Sequence, residues 1–219
     1  MEKNMIVLFL GPSGCGKDTQ AQKLIKEYGF IQLSAGDFFR NEILDGGKLG
    51  KKLKKYLDSG VLVPNELWYE IVKKHLTKNL SKGRIILQGV VREVVQKELV
   101  DDILDKLGYS LNAVIHFDLS VENAIERMAL RRSCPKCGQI YHLKFTPPKK
   151  ENICDKDGEK LIQREDDTEK AINSRISYYQ DNIKPILKYY EDRKILYHID
   201  GGETIPNVYK QLVELLENL

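Results

Sequence analysis

The sequence predicts an α/β fold built on a parallel sheet of five strands with helices on both faces. Two observations carry this prediction. Short apolar runs alternate with helical patterns along most of the chain, which is the order of right-handed βαβ crossovers. The first apolar run leads directly into a glycine-rich loop and a helix, and in such folds ligands bind where the strands end. The 219 residues suffice to bury one full core.

Five runs have the length and apolar character of buried parallel strands. They are residues 5–10, 30–34, 84–87, 113–119 and 195–199.

Helical patterns with capping signals separate these runs. Gly29 follows a predicted helix at 18–28, and Gly108 follows one at 93–107, so each can form a left-handed C-terminal cap. Ser120 is a predicted N-cap for residues 121–130. A capping box of Asp166 and Glu169 is predicted to open a long helix through Tyr190 that bends at Pro185, and Pro206 suits the first turn of the last helix.

Two stretches interrupt the alternation and are predicted to be insertions that close over a site. Residues 41–63 are helical and rich in Lys and Gly, with breaks at Gly46-Gly47 and at Gly60. Residues 132–167 are rich in Pro, Gly and Cys, and a hairpin is predicted at 139–145.

Composition and charge narrow the function classes. The net charge of +3 is too small to favour a nucleic-acid partner. No apolar stretch approaches the length of a membrane span, and the N-terminus has no signal-peptide pattern. These features predict a cytoplasmic protein.

Residues 11–17 read GPSGCGK and match the phosphate-binding pattern G-x-x-x-x-G-K. The glycines allow backbone N–H groups to point at phosphate oxygens, and Lys17 would reach the β- and γ-phosphates. A glycine-rich turn with a solvated lysine is the alternative, which the strand before the loop and the helix after it disfavour. The next residue is Asp18 rather than the usual Ser or Thr, whose hydroxyl binds Mg²⁺, and Thr19 follows.

Four residues are spaced as two metal-binding knuckles, in the pattern C-x2-C-x16-C-x2-D. Three thiolates and a carboxylate complete the tetrahedral shell of structural zinc, whereas three cysteines cannot all pair as disulfides. Three unligated surface thiols are the alternative. The predicted zinc ligands are Cys134, Cys137, Cys154 and Asp157.

The chain resembles the adenylate kinases in their long-lid, zinc-containing form, from residue 5 to residue 215. The family's Gly-Lys-x-Thr-Gln-Ala signature is present at 16–21, and residues 34–40 resemble its segment for the AMP phosphate. Residues 60–64 resemble the stretch that contacts the AMP base. Residues 88–92 read QGVVR where the family has Asp-Gly-Phe-Pro-Arg, and Gln96 stands at the position that reads adenine.

The resemblance implies a P-loop nucleoside monophosphate kinase fold. Its core would comprise residues 1–33, 64–130 and 168–219, with an AMP-binding insertion at 34–63 and a zinc-binding lid at 131–167. It also implies reversible phosphoryl transfer between ATP and AMP giving two ADP, Mg²⁺ with ATP, structural zinc and a monomer.

The resemblance further implies the site residues. The ATP-binding residues would be Gly14, Cys15, Gly16, Lys17, Asp18, Thr19, Arg127 and Arg131. The AMP-binding residues would be Ala35, Arg40, Val61, Val63, Gly89, Arg92, Gln96, Arg164 and Arg175. Lys17, Arg92, Arg131, Arg164 and Arg175 would be catalytic.

Six of the nine arginines thus stand at nucleotide positions of the family. Phosphoryl transfer between two polyanions needs positive donors spread over both nucleotides, because catalysis is mostly alignment and charge neutralisation. Each arginine alone could be a surface charge of a helix, but six together make that reading weak.

The chain departs from the family at positions that serve magnesium binding and the acceptor pocket. Gln88 replaces the strand-end Asp that helps to hold the Mg²⁺ water shell, and an amide brings no negative charge to a hard cation. Asp18 is a possible Mg²⁺ ligand that compensates for this loss; alternatively it is an acid favoured by the helix dipole. Ala35, Val90 and Val91 alter the acceptor pocket, and Trp68 could supply stacking surface or be ordinary core.

Four functions follow from these observations. The first is adenylate kinase, and the second is a kinase for another nucleoside monophosphate, because the acceptor pocket is altered. The third is a nucleotide-binding protein with weak or no turnover, because of Gln88. The fourth, a zinc ribbon that binds nucleic acid, is disfavoured by the small net charge.

Overall fold

The computed structural model describes residues 4–58, 63–163 and 167–219. Its main sheet has five parallel strands in the order β2-β3-β1-β4-β7. These strands are β1 Ile6–Leu10, β2 Ile31–Ser34, β3 Ile85–Gln88, β4 Ala113–Asp118 and β7 Leu196–Asp200. The five predicted strands are therefore confirmed, to within one or two residues at their ends.

Helices cover both faces of the sheet. They are α1 Lys17–Tyr28, α2 Ala35–Asp45, α3 Lys48–Asp58, α4 Asn65–Asn79, α5 Val94–Lys106, α6 Val121–Ala129, α7 Glu169–Asp192 and α8 Ile205–Glu217, with a short 3-10 turn at Leu80–Lys82. One face packs against α5 and the C-terminal half of α7, and the other packs against α1 and α8. The continuous burial of β1 and β3 between these layers explains why their sequences are apolar runs rather than alternating patterns.

Most of the predicted helix ends are confirmed. Gly29 ends α1 in the left-handed conformation, Ser120 caps α6, and Pro206 lies in the first turn of α8. The break at Gly46-Gly47 separates α2 from α3, whereas Gly60 lies outside the described residues. Helix α4 was not predicted from the sequence.

The predicted capping box of Asp166 and Glu169 is wrong. Helix α7 begins at Glu169, and its N-cap is Thr168, whose hydroxyl accepts the N–H of Ala171 at 3.4 Å. This hydroxyl performs the capping role that the prediction gave to Asp166, which itself lies outside the described residues. Pro185 lies inside α7, and the helix continues past Tyr190.

The segment between α6 and α7 forms a small unit of its own. Strand β5 Arg131–Ser133 pairs antiparallel with β6 Ile140–His142, and His142 pairs again with Thr146 across a tight turn. Of the hairpin predicted at 139–145, the turn is present, closed by the His142–Thr146 bridge, but the main partner of β6 is β5 rather than a strand within that stretch. The buried hydrophobic residues of its described part are few, namely Cys134, Tyr141, Cys154 and Leu161. No helix within the described ranges is long and apolar enough to cross a membrane.

Candidate active site

The glycine-rich loop joins β1 to α1 at the carboxyl edge of the sheet. Gly16 is the N-cap of α1 with φ of 93°, a left-handed conformation that favours glycine. Gly14 also has positive φ, and a Cβ there would lie 3.1 Å from the Ala124 carbonyl oxygen. The loop therefore needs these glycines both for its backbone conformation and for its close approach to α6.

The ammonium group of Lys17 lies inside the curve of this loop. Its Nζ donates hydrogen bonds to the carbonyl oxygens of Gly11 at 2.7 Å and Pro12 at 2.8 Å, and it lies 3.0 Å from Cys15 Sγ. Cys15 is buried, so its side chain fills the inside of the loop. The positive charge is thus held beside the backbone that the motif assigns to phosphate binding.

Asp18 and Gln88 are in direct contact, although 70 positions separate them in sequence. Gln88 Nε2 donates to Asp18 Oδ1 at 2.8 Å, and Gln32 Nε2 donates to the same oxygen at 3.1 Å and to Gln88 Oε1 at 2.9 Å. Gln88 is almost fully buried, whereas Asp18 is exposed. The carboxylate of α1 therefore lies at the end of β3, and two amides orient it there.

Gln32 was not singled out from the sequence. It lies on β2, the neighbour of β3, and only the strand order brings its amide to Asp18. No local sequence signal identifies it.

The start of α2 presents a cation at the same edge of the sheet. Ser34 caps the helix through the N–H of Asp37, and Asp37 pairs with Arg40 at 2.5 Å. The Arg40 side chain is 62% exposed. Arg92 follows β3, and a Cβ on Gly89 would lie 3.2 Å from its Nη2. Both arginines therefore follow adjacent strands, as the resemblance implies for a phosphate site.

Gln96 is buried in the first turn of α5, where it forms a capping box with Glu93. Its Oε1 accepts the N–H groups of Arg92 at 2.8 Å and Glu93 at 3.2 Å. Its Nε2 points toward Asn65 Oδ1 at 3.4 Å. The side chain is therefore held with its oxygen engaged by the backbone and its amide nitrogen directed toward the start of α4.

The altered acceptor positions are part of the apolar core. Ala35, Val90 and Val91 are buried in the cluster between the sheet and α4, and Val63 packs at its margin. Trp68 is also buried in that cluster, so the alternative that this residue is part of the ordinary core is confirmed. Three predicted positions, Val61, Arg164 and Asp166, lie outside the described residues.

Arg127 links the core to the segment between α6 and α7. Its guanidinium donates to the carbonyl oxygens of Gly201 at 2.7 Å and Gly202 at 3.2 Å. The Phe145 ring lies over the same group, with its centroid 5.6 Å from Arg127 Cζ, and is 50% exposed. The guanidinium therefore lies over an aromatic ring, and such a planar cation can also stack on a base.

Arg131 and Arg175 converge on one buried carboxylate. Asp167 accepts two hydrogen bonds from Arg131, through Nε at 2.8 Å and through Nη2, and its Oδ1 lies 3.7 Å from Arg175 Nη1. The Asp167 side chain is fully buried, whereas Arg175 is 33% exposed. Asp167 thus positions two of the predicted catalytic arginines at the junction of β5 and α7.

The four predicted metal ligands come together. The ligand atoms of Cys134, Cys137, Cys154 and Asp157 all lie within 4.8 Å of one another. Cys134 Sγ lies 3.4 Å from both carboxylate oxygens of Asp157, and Cys137 Sγ lies 3.6 Å from Cys154 Sγ. Such a convergence of three sulfurs and a carboxylate is a suitable metal-binding arrangement.

The backbone of each knuckle also supports this arrangement. The N–H of Cys137 points at Cys134 Sγ, and that of Lys156 points at Cys154 Sγ, each at 3.4 Å. Tyr141 Oη donates to Cys154 Sγ at 3.5 Å. Donors of this kind stabilise thiolate sulfurs and orient them toward a cation.

Comparisons with known proteins show which proteins the chain is similar to. A family model described as adenylate kinase matches residues 9–195. The adenylate kinase of Archaeoglobus fulgidus is 40% identical over 215 residues, which cover 98% of this chain and 99% of that protein. The adenylate kinase of Caldanaerobacter subterraneus is 42% identical over 212 residues, covering 97% and 96% of the two chains. That of Bacillus licheniformis is 41% identical over 212 residues, covering 97% and 98%.

Proposed function

The chain belongs to the adenylate kinase family, and we propose that its active site is the edge of the sheet where β1, β2 and β3 end. It is a nucleoside monophosphate kinase that interconverts ATP plus AMP with two ADP, and Mg²⁺ accompanies ATP. The observation that carries the assignment of the site is the convergence at this edge of the glycine-rich loop with Lys17, the arginines after β2 and β3, and the Asp18 carboxylate.

The ATP phosphates bind to the backbone N–H groups of the loop from Gly14 to Thr19. Lys17 exchanges the carbonyl oxygens of Gly11 and Pro12 for phosphate oxygens, since an ammonium group donates more strongly to an anion. Arg127 offers its planar face to the adenine, with Phe145 on the neighbouring segment.

AMP binds between α2 and the turn after β3. Arg40 and Arg92 hold its phosphate by two-pronged contacts, for which Asp37 keeps the Arg40 fork oriented. Gln96 presents its amide to the adenine, while its oxygen stays with the cap of α5. Gly89 lets the phosphate group approach the backbone, and Val63, at the margin of the apolar cluster, offers surface to the base. Ala35 and Val61 are the other base positions that the resemblance implies, and Ala35 acts there from within the core.

The transferring phosphoryl group is neutralised by Arg131, Arg164 and Arg175. Phosphoryl transfer gains its rate from alignment and from charge stabilisation rather than from covalent chemistry by the protein. Asp167 aligns Arg131 and Arg175 before substrate binds, so little reorganisation is needed during the reaction. The residue ranges 34–63 and 131–167 close over the nucleotides and exclude water, which would otherwise hydrolyse ATP.

Asp18 takes the place of the family's strand-end carboxylate toward Mg²⁺. Its Oδ1 accepts both amides and its Oδ2 accepts neither, so one oxygen remains for the water shell of the cation. Because the Asp18 carboxylate contacts Gln88, it lies close to where the carboxylate of the family's Asp at position 88 would act. Mg²⁺ supplies charge neutralisation of the ATP phosphates.

Zinc held by Cys134, Cys137, Cys154 and Asp157 is proposed to be structural. Four protein ligands leave no open position for water, and the unit has a small core that metal binding would supplement.

A coupled assay tests the proposed function. ADP formation from ATP is expected to require both AMP and Mg²⁺, and CMP, UMP and GMP are expected to be poor acceptors. Equal rates with another nucleoside monophosphate would contradict the assignment of the adenine contacts to Gln96. Tight nucleotide binding without ADP formation at saturating Mg²⁺ would contradict the proposed activity.

A further inference from the structure

Two histidines and an aspartate form a cluster on strands β4 and β7 that the kinase reaction does not use. His116 and His198 are partners in the parallel register of β4 and β7, and Asp118 lies two residues after His116. Residues two apart on a strand share a face of the sheet, so the three side chains project from the same face. The sequence gives only the His-x-Asp spacing on β4, and the strand pairing supplies the second imidazole.

The three side chains already point at one another. His116 Nδ1 lies 2.8 Å from Asp118 Oδ1, and His198 Nδ1 lies 2.9 Å from Asp118 Oδ2. One nitrogen or oxygen atom from each residue lies within 4.8 Å of the others. Metal–ligand bonds of about 2.0–2.2 Å place the ligand atoms of one cation at separations close to those found between these three side chains. Only small movements of the side chains are therefore required for binding.

Tyr179 of α7 supports the buried member of the cluster. Its Oη lies 2.5 Å from His116 Nε2, the ring nitrogen that faces away from Asp118. Metal-binding histidines usually donate their second N–H to such a partner, which selects the tautomer and orients the ring. Before a cation binds, His116 Nδ1 donates its proton to Asp118; binding requires that proton to move to Nε2, where Tyr179 Oη can accept it, and this leaves Nδ1 available as a ligand.

Burial is graded across the cluster. The His116 side chain is 9% exposed, whereas those of Asp118 and His198 are 49% and 52% exposed. One ligand is therefore anchored against α7, and the other two reach solvent at the edge strand β7. A cation can enter from that side and keep water molecules in its remaining positions.

We propose that His116, Asp118 and His198 bind a divalent first-row transition cation such as Ni²⁺ or Zn²⁺. Imidazole nitrogens with a single carboxylate suit these metals, whereas Mg²⁺ prefers oxygen ligands. Both histidines bind through Nδ1, and each neutral imidazole keeps its one proton on Nε2. The site shares no ligand with the cysteine cluster or with the glycine-rich loop, although His116 pairs with Leu10 at the end of β1 that leads into that loop. It stabilises the pairing of β4 with the edge strand β7.

Isothermal titration with Ni²⁺ of the full chain, loaded with one equivalent of Zn²⁺ for the cysteine cluster and freed of excess Zn²⁺ by dialysis, tests this proposal. One equivalent of Ni²⁺ is expected to bind with no release of Zn²⁺, as measured by elemental analysis. His198→Ala is expected to weaken this binding by more than about 10-fold, and Tyr179→Phe by about 10–100-fold, the usual effect of losing a partner that orients a ligand. His198 is half exposed, so its replacement should leave the fold intact.

His75→Gln is the matched control, because it removes one of the four histidines elsewhere while keeping a donor to Glu42. It should bind Ni²⁺ as the native chain does. In NMR spectra, paramagnetic Ni²⁺ should broaden the imidazole signals of His116 and His198 and spare that of His75. Absence of saturable binding, or equal binding by His198→Ala, would overturn the site, whatever the kinase activity or the metal content of the cysteine cluster.

Discussion

Asp18 Oδ1 accepts a hydrogen bond from Gln88 Nε2 at 2.8 Å, so the carboxylate of the loop helix lies at the tip of the strand that lacks one. Gln32 donates to the same oxygen and to Gln88, which leaves Asp18 little freedom to turn away. The contact supports a compensating exchange, in which the Asp18 carboxylate replaces the one that is missing at position 88. It argues against the alternative that Asp18 is present only because the positive end of the α1 dipole stabilises an acid there, since that effect needs no hydrogen-bond partner.

The exchange predicts an asymmetry between single and double variants. Asp18→Gly should lower Mg²⁺-dependent kcat/KM by about 100-fold, the typical effect of losing one group that stabilises transition-state charge. Adding Gln88→Asp to Asp18→Gly should recover most of this loss, because the carboxylate returns to the strand end. Steady-state rates at several Mg²⁺ concentrations measure both effects.

Glu122→Gly is the control for the exchange, since Glu122 is an exposed acid in the first turn of α6. Its rate should match that of the native chain. Full activity of Asp18→Gly, or no recovery in the double variant, would contradict the exchange.

Asp167 is predicted to act by positioning arginines. Asp167→Asn should lower kcat by about 100-fold while changing KM for either nucleotide by only a few-fold, because charge stabilisation in the transition state is lost. It should also reduce the free energy of unfolding, since a guanidinium is left beside an uncharged partner. If KM rose and kcat stayed constant, the proposed role would be wrong.

The cysteine cluster predicts one structural Zn²⁺ per chain. Cys154→Ser should abolish zinc retention and lower the melting temperature, because metal binding contributes directly to folding of the unit. Asp157→Ala should weaken zinc binding, whereas Asp155→Ala, in the same knuckle, should not, because the Asp155 carboxylate accepts the N–H of Lys149 instead. Elemental analysis after dialysis measures the content, and equal content in all variants would exclude these ligands.

Glu42 predicts a pH-dependent contribution to stability. Burial opposes its ionisation, but hydrogen bonds from Lys74 at 2.6 Å and His75 at 3.0 Å outweigh this cost and hold its pKa below the ordinary 4.5. A carboxyl group with a lowered pKa in the folded state contributes stability above pH 4.5, and this contribution is lost as the pH falls through the folded-state pKa.

Glu42→Gln should therefore cost about 1.5–3 kcal/mol of unfolding free energy at pH 7, and the difference from the native chain should shrink as the pH falls below 4.5. Urea denaturation over this range measures it. Glu191→Gln, whose side chain is 68% exposed beside Lys188, should change stability by less than about 1 kcal/mol at any pH. A constant difference between native and Glu42→Gln chains would refute the ionisation argument.

Local patterns predicted most of the fold. The strands were recognisable because parallel strands buried on both faces are apolar throughout, and the helix ends because Gly29 and Ser120 act through neighbouring backbone groups. The Asp166 cap failed because Thr168 offers an equivalent acceptor two residues later. Helix α4 was missed, although its inward face, with Trp68 and Ile71, is well buried.

The sequence by itself determined the phosphate loop, the arginine positions and the spacing of the cysteine knuckles, since each is a short pattern read along one stretch of chain. Only the tertiary structure decided that Asp18 contacts Gln88, that Asp167 binds Arg131, and that His198 joins His116. These contacts join residues distant in sequence. They depend on strand order, on register and on which helix covers which face, and these follow from packing of the whole core rather than from any local preference.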